Sequence, residues 1–223
     1  MKKLYTPYTV AFSGGCFSGK TTTINKVAEK LRQLGYTVYI LNENIRDKKV
    51  FRKAGSIDNI RQDPNSYLLL QNEIIREKIE NENEILGVKY TTKTIILTDR
   101  ALTDSLFYLS CYVDKVTLTP ENKKVFRHLF NSIYMYLSFT KRYDKVLEFK
   151  PLKIENIDEY RPKDLEQLQF FEYEMIHCLN NNFFDKSIIE RNINVKQDGS
   201  IDNIINSIVE DYAKHICISM NMK

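Results

Sequence analysis

One short stretch near the start of the chain carries the residue types that bind phosphate groups. Residues 14–21 read GGCFSGKT and match the pattern G-x-x-x-x-G-K-[ST]. Glycines let backbone N–H groups turn inward around phosphate oxygens, and a helix that begins directly after the turn adds its positive dipole end. In this pattern the lysine reaches the β- and γ-phosphates, and the following hydroxyl binds Mg²⁺. The predicted phosphate-binding residues are Gly14, Gly15, Ser18, Gly19, Lys20, Thr21 and Thr22, with Thr21 also predicted to bind the metal.

A second candidate site follows the apolar stretch at residues 94–98, where Asp99 and Arg100 come directly after it. An acidic residue at the end of a buried strand can hold Mg²⁺ or its water shell, and we expect Asp99 to do so. Arg100 then points into the crevice in which parallel sheets bind ligands. Asp104 follows at helical spacing, so we expect it to line the same wall and contact the substrate. The alternative is that Asp99 only caps a helix.

A third candidate site, Glu43 with Arg46, follows the apolar stretch at residues 37–41. A carboxylate at this point would lie across the crevice from the phosphate-binding turn, where it can accept a proton from an attacking hydroxyl as a general base. Arg46 can hold a phosphate or another anionic group of the acceptor. The alternative is a pair of solvated charges in a polar loop.

A fourth candidate is Arg161, in the polar sequence DEYRP at residues 158–162. An arginine ahead of a helix can fold over a transferring phosphoryl group and stabilise its charge. This placement predicts a lid over about residues 150–182, with Arg161 as its catalytic residue. The alternative is an exposed arginine in a loop.

The elements that must position these residues alternate between strand and helix. Each of the five apolar segments is followed by helical periodicity or by a helix start signal. Such alternation predicts an α/β fold, with a parallel sheet of about five strands covered by helices on both faces. The polar, charged residues 45–63 predict a loop. The predicted strands are residues 8–13, 37–41, 94–98, 145–149 and 187–190, and the main predicted helices begin near residues 20, 64, 101, 120, 162 and 201.

Composition narrows the class of protein. With 223 residues, 43% hydrophobic and 28% charged, the chain is typical of one globular domain spanning residues 1–223. No apolar run approaches the roughly 18 to 20 residues of a membrane helix, so we expect no membrane association. The net charge of +4 allows anionic ligands without requiring nucleic acid. The composition leaves open whether the chain forms a homodimer.

The four cysteines lie far apart and form no C-x-x-C pair: Cys16, Cys111, Cys178 and Cys217. Their spacing argues against a zinc site and a disulfide framework, and favours a reducing cytoplasm, that of the host if the protein is viral. Cys16 lies at a variable position of the phosphate-binding turn, which favours a bystander thiol over a nucleophile.

In their order along the chain, these motifs resemble those of small P-loop kinases and ATPases grouped with the ribosylnicotinamide-kinase domain of the bacterial NAD regulator. Relatives of that domain occur often in bacteriophages. More distantly, the chain is similar to deoxynucleoside kinases and thymidylate kinase. The Asn-rich lid after the fourth predicted strand is long, and residues 47–64 match no motif of the family. The resemblance spans nearly the whole chain, through residues 14–21, 43–46, 99–108, 143–147 and 158–161.

The resemblance implies a P-loop kinase-like fold and phosphoryl transfer from ATP–Mg²⁺ to a small hydroxyl or phosphate acceptor. It also implies that Glu43 is the base and that Arg100 is the arginine of the Asp-Arg motif. We expect a phosphotransferase acting on a nucleoside-like hydroxyl, with ATP and this acceptor as its partners. The predicted catalytic residues are Lys20, Glu43, Asp99, Arg100 and Arg161, and the predicted substrate-binding residues are Glu43, Arg46, Arg100 and Asp104.

Three other functions are open at this point. In a nucleoside monophosphate kinase, Arg46 and Arg100 would hold the acceptor phosphate, which needs no base. A phage DNA-modification kinase would phosphorylate a hydroxymethylated base within DNA and would need a basic, aromatic-lined groove. A regulatory ATPase would hydrolyse ATP without any acceptor.

Overall fold

A computed structural model of the chain describes residues 4–16, 18–43, 45–55, 57–113, 116–139, 141–152, 165–197 and 199–221. Its centre is a five-stranded parallel sheet with the strand order β2-β3-β1-β4-β5. The predicted α/β class, with a parallel sheet between helices, is confirmed. The strands are β1 (Tyr8–Ser13), β2 (Thr37–Leu41), β3 (Thr94–Asp99), β4 (Lys145–Phe149) and β5 (Ile189–Ile193).

Helices follow the strands along the chain, as the apolar periodicity predicted. No helix in the described ranges combines the length and the apolar character that crossing a membrane requires. The helices are α1 (Lys20–Gln33), α2 (Lys49–Ala54), α3 (Ile57–Arg61), α4 (Pro64–Leu86), α5 (Leu102–Tyr112), α6 (Pro120–Phe139), α7 (Leu165–Phe183) and α8 (Ser200–Asn221).

The three central strands are buried along their whole length, because helices cover both faces of the sheet. On one face Val10 and Phe12 pack with residues of α1 and α8. On the other face Ala11 packs with Val146 and Tyr143. Alternate residues of a strand point to opposite faces, so β1 contributes to both hydrophobic clusters.

Two local predictions differ from the structure. Residues 45–63 were predicted to be a loop, but they contain the short helical turn Ile45–Asp47 and the helices α2 and α3. Phe51 and Ile60 are buried against α4. The helices α2 and α3 have only six and five residues, too few to show helical periodicity. The strand β5 begins two residues later than predicted, because a short helical turn capped by Asp185 occupies Lys186–Ile188.

The register of the sheet brings the predicted site residues to one edge. Phe12 of β1 lies beside Asp99 of β3, and Leu41 of β2 lies beside Thr98. Three parts of the predicted site are therefore neighbours at the carboxyl edge of the sheet: the phosphate-binding turn after β1, Asp99 and Arg100 at the end of β3, and Glu43 after β2. Ligands bind at this edge in open parallel sheets.

Candidate active site

The phosphate-binding turn joins β1 to α1 and depends on backbone conformations that suit glycine. Gly19 is the N-cap of α1 and has a φ of 82°, in the left-handed region that side chains disfavour. Its carbonyl accepts the Thr23 backbone N–H at 3.0 Å, which starts the helix directly after the turn. The structure thus has the strand, turn and helix that the motif requires.

The Lys20 ammonium is held inside this turn by three oxygens. Its Nζ donates to the carbonyls of Gly14 at 2.8 Å and Gly15 at 2.6 Å, and to Ser18 Oγ at 2.9 Å. Burial lowers the pKa of Lys20, and the nearby Arg100 guanidinium lowers it further. The three hydrogen bonds fix the Lys20 Nζ next to the backbone groups that would surround phosphate oxygens.

Two oxygen-bearing side chains meet at the start of α1 and the end of β3. Thr21 Oγ1 donates to Asp99 Oδ2 at 2.6 Å, and Thr21 itself is exposed. Hydroxyl and carboxylate oxygens are ligands that suit Mg²⁺, which usually keeps several waters and also uses phosphate oxygens. Within the described ranges no group of three or more His, Cys, Asp or Glu residues could hold a metal alone. The pair fits a magnesium ion whose other ligands are water and the phosphate oxygens of a nucleotide.

Arg100 and Glu43 form a nearly buried ion pair across the ends of β3 and β2. Arg100 Nε lies 2.5 Å from Glu43 Oε2, and its NH1 donates to Tyr108 Oη at 3.1 Å. Arg100 has a φ of 71°, a conformation that costs a bulky residue about 1 to 3 kcal/mol. The Arg100 backbone N–H donates to the Phe12 carbonyl at 3.1 Å, which helps to hold this conformation.

Lys78 of α4 is a buried contact of the Asp-Arg motif that the sequence analysis missed. Its Nζ donates to Thr98 Oγ1 at 2.8 Å and to the Arg100 carbonyl at 2.7 Å. Behind it, Glu82 accepts from Arg142 at 2.8 Å and from the Tyr143 hydroxyl at 3.0 Å, and lies 3.2 Å from Lys78. Lys78 and Glu82 interrupt the apolar face of α4 at a spacing of four, which is the signal that could have identified them.

The helical spacing predicted that Asp104 lines the wall of the crevice and contacts the substrate. The structure places it elsewhere. The structure buries it completely beneath the phosphate-binding turn, where Oδ1 accepts Ser13 Oγ at 2.6 Å and Oδ2 accepts the Gly14 backbone N–H at 3.3 Å. Ser13 Oγ also accepts Asn180 Nδ2 at 2.9 Å. Asp104 therefore supports the turn from below, and we propose a structural role for it.

Burial raises the pKa of Asp104 to about 6, although Arg100 and Lys20 oppose the shift. The carboxyl in the unfolded chain titrates near 3.8, so the folded protein holds an extra proton between these two pH values. We expect the free energy of unfolding to fall by about 2 kcal/mol from this group as the pH rises from about 4 to about 6. Asp104→Asn lacks this titration. Urea denaturation of both proteins at the two ends of this window measures the effect, and an unchanged difference between them would refute it.

An open cleft of about 320 Å³ lies between the ends of β2 and β3 and the helix α4. Glu43 and Asp99 line it together with Lys78, so the candidate base and the candidate metal ligand border the same space. This volume includes space that is open to solvent. The lining residues are Leu41, Asn42, Glu43, Lys48, Ile74, Glu77, Lys78, Asn81 and Asp99.

The side chains of two predicted arginines lie outside what the structure describes. Arg161 and most of the predicted lid before α7 lie in residues 153–164, and of Arg46 only the backbone is described, within the turn Ile45–Asp47. Thr22 lies in the first turn of α1, one residue after Thr21, and is exposed. The roles of these three residues stay predictions.

The chain has a parallel sheet of this strand order and a glycine-rich turn that encloses Lys20. Thr21 is hydrogen-bonded to Asp99 at the end of β3. These features together define a P-loop nucleotide-binding protein. A family model described as "AAA domain" matches residues 9–194. The chain belongs to this family. No curated protein matches the chain by sequence.

Two solved structures share the fold. One is the NadR protein in complex with NAD and AMP-PNP, with a TM-score of 0.56, 14% identity and coverage of 93% of this chain. This chain spans about half the length of the NadR chain, since it covers 50% of it. The other is thymidylate kinase from Candida albicans, with a TM-score of 0.56, 15% identity and coverage of 94% of this chain and 93% of that chain. The similarity to P-loop kinases predicted from the motifs is confirmed at the level of the fold.

Proposed function

We propose that the protein is an ATP-dependent phosphotransferase that transfers the γ-phosphoryl group to a hydroxyl of a small nucleoside-like acceptor. The observation that carries this proposal is the cleft bordered by both Glu43 and Asp99. Through Asp99 the cleft adjoins Thr21 and the phosphate-binding turn. An acceptor in the cleft would therefore lie between a carboxylate base and the terminal phosphate.

On the nucleotide side, the turn and Lys20 bind and orient the triphosphate. The Lys20 ammonium would exchange at least one of its three bonds within the turn for a phosphate oxygen. Its charge already lies beside the turn, where it can stabilise negative charge in the transition state. Thr21 and Asp99 would hold Mg²⁺. When bound, the ion neutralises part of the triphosphate charge.

On the acceptor side, Glu43 would take the proton of the attacking hydroxyl. Its Oε2 is bound to Arg100, and its Oε1 makes no hydrogen bond among the residues that the structure describes. Oε1 is therefore the oxygen that can accept the proton, while Arg100 fixes the carboxylate. Arg100 also supports this geometry through Tyr108.

The charges around the cleft favour a hydroxyl over a phosphate acceptor. Arg100 pairs with Glu43, Lys78 pairs with Glu82 at 3.2 Å, and Lys48 pairs with Glu77. Within the described part of the chain, each of these three cations already has a carboxylate partner. A monophosphate with two negative charges would have to break such a pair, whereas an uncharged hydroxyl compound would not.

Asp99→Asn should weaken the Mg²⁺-dependent part of nucleotide affinity by at least about tenfold, because an amide lacks the charge that attracts the ion. Nucleotide affinity in excess chelator should be unchanged. Titrations with ATP, with and without Mg²⁺, measure both quantities. Equal Mg²⁺ dependence in the variant and the wild type would exclude Asp99 as a metal ligand.

A panel of acceptors incubated with ATP labelled in the γ-phosphoryl group tests the proposed function. We expect label on nucleosides. Label on nucleoside monophosphates would instead indicate a monophosphate kinase, and label on DNA that contains hydroxymethylated bases would indicate a DNA-modification kinase. Release of labelled phosphate in all reactions, with no labelled acceptor, would indicate a regulatory ATPase. Each of these last three outcomes would overturn the proposal.

A further inference from the structure

A buried carboxylate of α7 contacts the phosphate-binding turn directly. Glu172 Oε2 accepts the Cys16 backbone N–H at 2.6 Å and the Tyr108 hydroxyl at 3.0 Å. The Glu172 side chain is completely buried, although carboxylates are rarely buried without strong partners. The sequence analysis did not identify this residue, which is 156 positions away from Cys16 in the chain.

The contact acts on one particular peptide group. The carbonyl of the Gly15–Cys16 peptide accepts Lys20 Nζ at 2.6 Å and Ser18 Oγ at 3.1 Å, and its N–H donates to Glu172. An ionised carboxylate only accepts hydrogen bonds, and an ammonium only donates them. Glu172 and Lys20 therefore select one orientation of this peptide, because a flipped peptide would direct its carbonyl at the carboxylate.

The packing around this peptide leaves no room for another arrangement. A Cβ added to Gly15 would lie 2.8 Å from Glu172 Oε2 and 2.9 Å from Glu172 Cβ, so only glycine permits this approach. One turn earlier in α7, Gln169 Nε2 donates to the Cys16 carbonyl at 3.4 Å. Two side chains of α7 thus bind the N–H and the carbonyl of Cys16.

The charge of Glu172 is compensated by groups from the rest of the site. Arg61 of α3 lies 3.9 Å from Glu172 Oε1, and Tyr108, which donates to Oε2, accepts a hydrogen bond from Arg100. A hydrogen bond from a backbone N–H to a charged acceptor is among the stronger ones in proteins. The cluster consequently holds α3, α5, α7 and the phosphate-binding turn together.

We propose that Glu172 is a positioning residue for Lys20: it fixes the Gly15–Cys16 peptide and thereby the ammonium that binds the terminal phosphates. This role depends on nucleotide binding by the turn and is independent of the acceptor. A failure of the hydroxyl-acceptor proposal would therefore leave it intact.

The test is a double-mutant cycle read as the affinity for AMP-PNP in the presence of Mg²⁺. Glu172→Ala should weaken binding by about tenfold to a hundredfold, the range for a hydrogen bond to a charged group. In a Lys20→Ala background the same change should weaken binding by less than about threefold, because the group positioned by Glu172 is gone. Glu172→Gln should restore most of the affinity, since its amide oxygen can still accept the Cys16 N–H. Glu174→Ala, an exposed change on the same helix, is the matched control and should bind as the wild type does.

Circular dichroism tests whether each variant is folded. If Glu172→Ala is not folded, the cycle is measured with Glu172→Gln. We then expect a smaller loss of affinity for AMP-PNP, and only when Lys20 is present. An equal loss with and without Lys20 would show that Glu172 only stabilises the fold. Wild-type affinity in the folded Glu172→Ala variant would likewise overturn the proposal.

Discussion

Lys20→Ala should reduce the turnover number several hundredfold. The ammonium is fixed within the turn by the carbonyls of Gly14 and Gly15 and by Ser18, so its charge is in place before the phosphoryl group moves. Removing a positioned group of this kind costs about 3 to 4 kcal/mol of transition-state stabilisation. Steady-state kinetics with a saturating acceptor measures the loss.

Lys26→Ala is the matched control, because Lys26 is an exposed lysine of the same helix. It removes an equal charge without touching the turn, so its turnover should equal that of the wild type. Wild-type turnover in a folded Lys20→Ala variant would show that the turn does not carry out the chemistry.

Glu43→Gln should reduce turnover on a hydroxyl acceptor by about a hundredfold to ten-thousandfold, with little change in ATP affinity. The amide keeps the shape of the side chain and can still contact the Arg100 guanidinium, but it cannot take a proton. Kinetics on the best nucleoside of the panel measures the turnover, and a titration with ATP measures the affinity.

Two comparisons separate a base from a residue that only holds Arg100. Glu84→Gln, an exposed change on α4, should leave kcat unchanged. If Glu43 only positioned Arg100, Glu43→Gln would mainly raise the acceptor KM, as Arg100→Ala would, and kcat would be preserved. With a monophosphate acceptor, which needs no base, Glu43→Gln should be mild. Full activity of Glu43→Gln on a nucleoside would refute the assignment of the base.

The sequence predicted the fold because its signals are local. The five apolar segments between amphipathic stretches specify strands and helices, and the carboxyl ends of parallel strands share one edge. The turn at residues 14–21, Glu43, Asp99 and Arg100 could therefore be placed near one another before any coordinates. The helices within residues 45–63 could not be predicted, since helices of six and five residues are too short to form a periodic pattern.

The supporting residues of the site were harder to predict because their partners are distant in the chain. Asp104 had the correct spacing for the acceptor wall, but the rotation of α5 turns it toward Ser13 beneath the turn. Glu172 is part of no motif. Its one signal is that polar residues share the buried face of α7 with the apolar Ile176, where an ordinary helix would bury apolar residues alone. These buried polar residues are Gln169, Glu172 and Asn180.

Lys78 and Glu82 illustrate the same limit on α4. Their spacing of four indicates one helical face, but not whether that face is buried. The structure shows that the pair lies behind the Asp-Arg motif and contacts the backbone of Arg100, whose φ of 71° also has no signature in the sequence. Charged residues within an apolar stripe are thus a useful sign of a supported functional site.

The phosphorus NMR spectrum of the reaction product tests the central claim most directly. The wild-type protein is incubated with ATP, Mg²⁺ and an equimolar mixture of nucleosides and nucleoside monophosphates, and the new resonances are assigned. Transfer to a hydroxyl predicts a phosphate monoester that forms in step with ADP. A new phosphoanhydride resonance beyond those of ADP, or inorganic phosphate without any new ester, would contradict it.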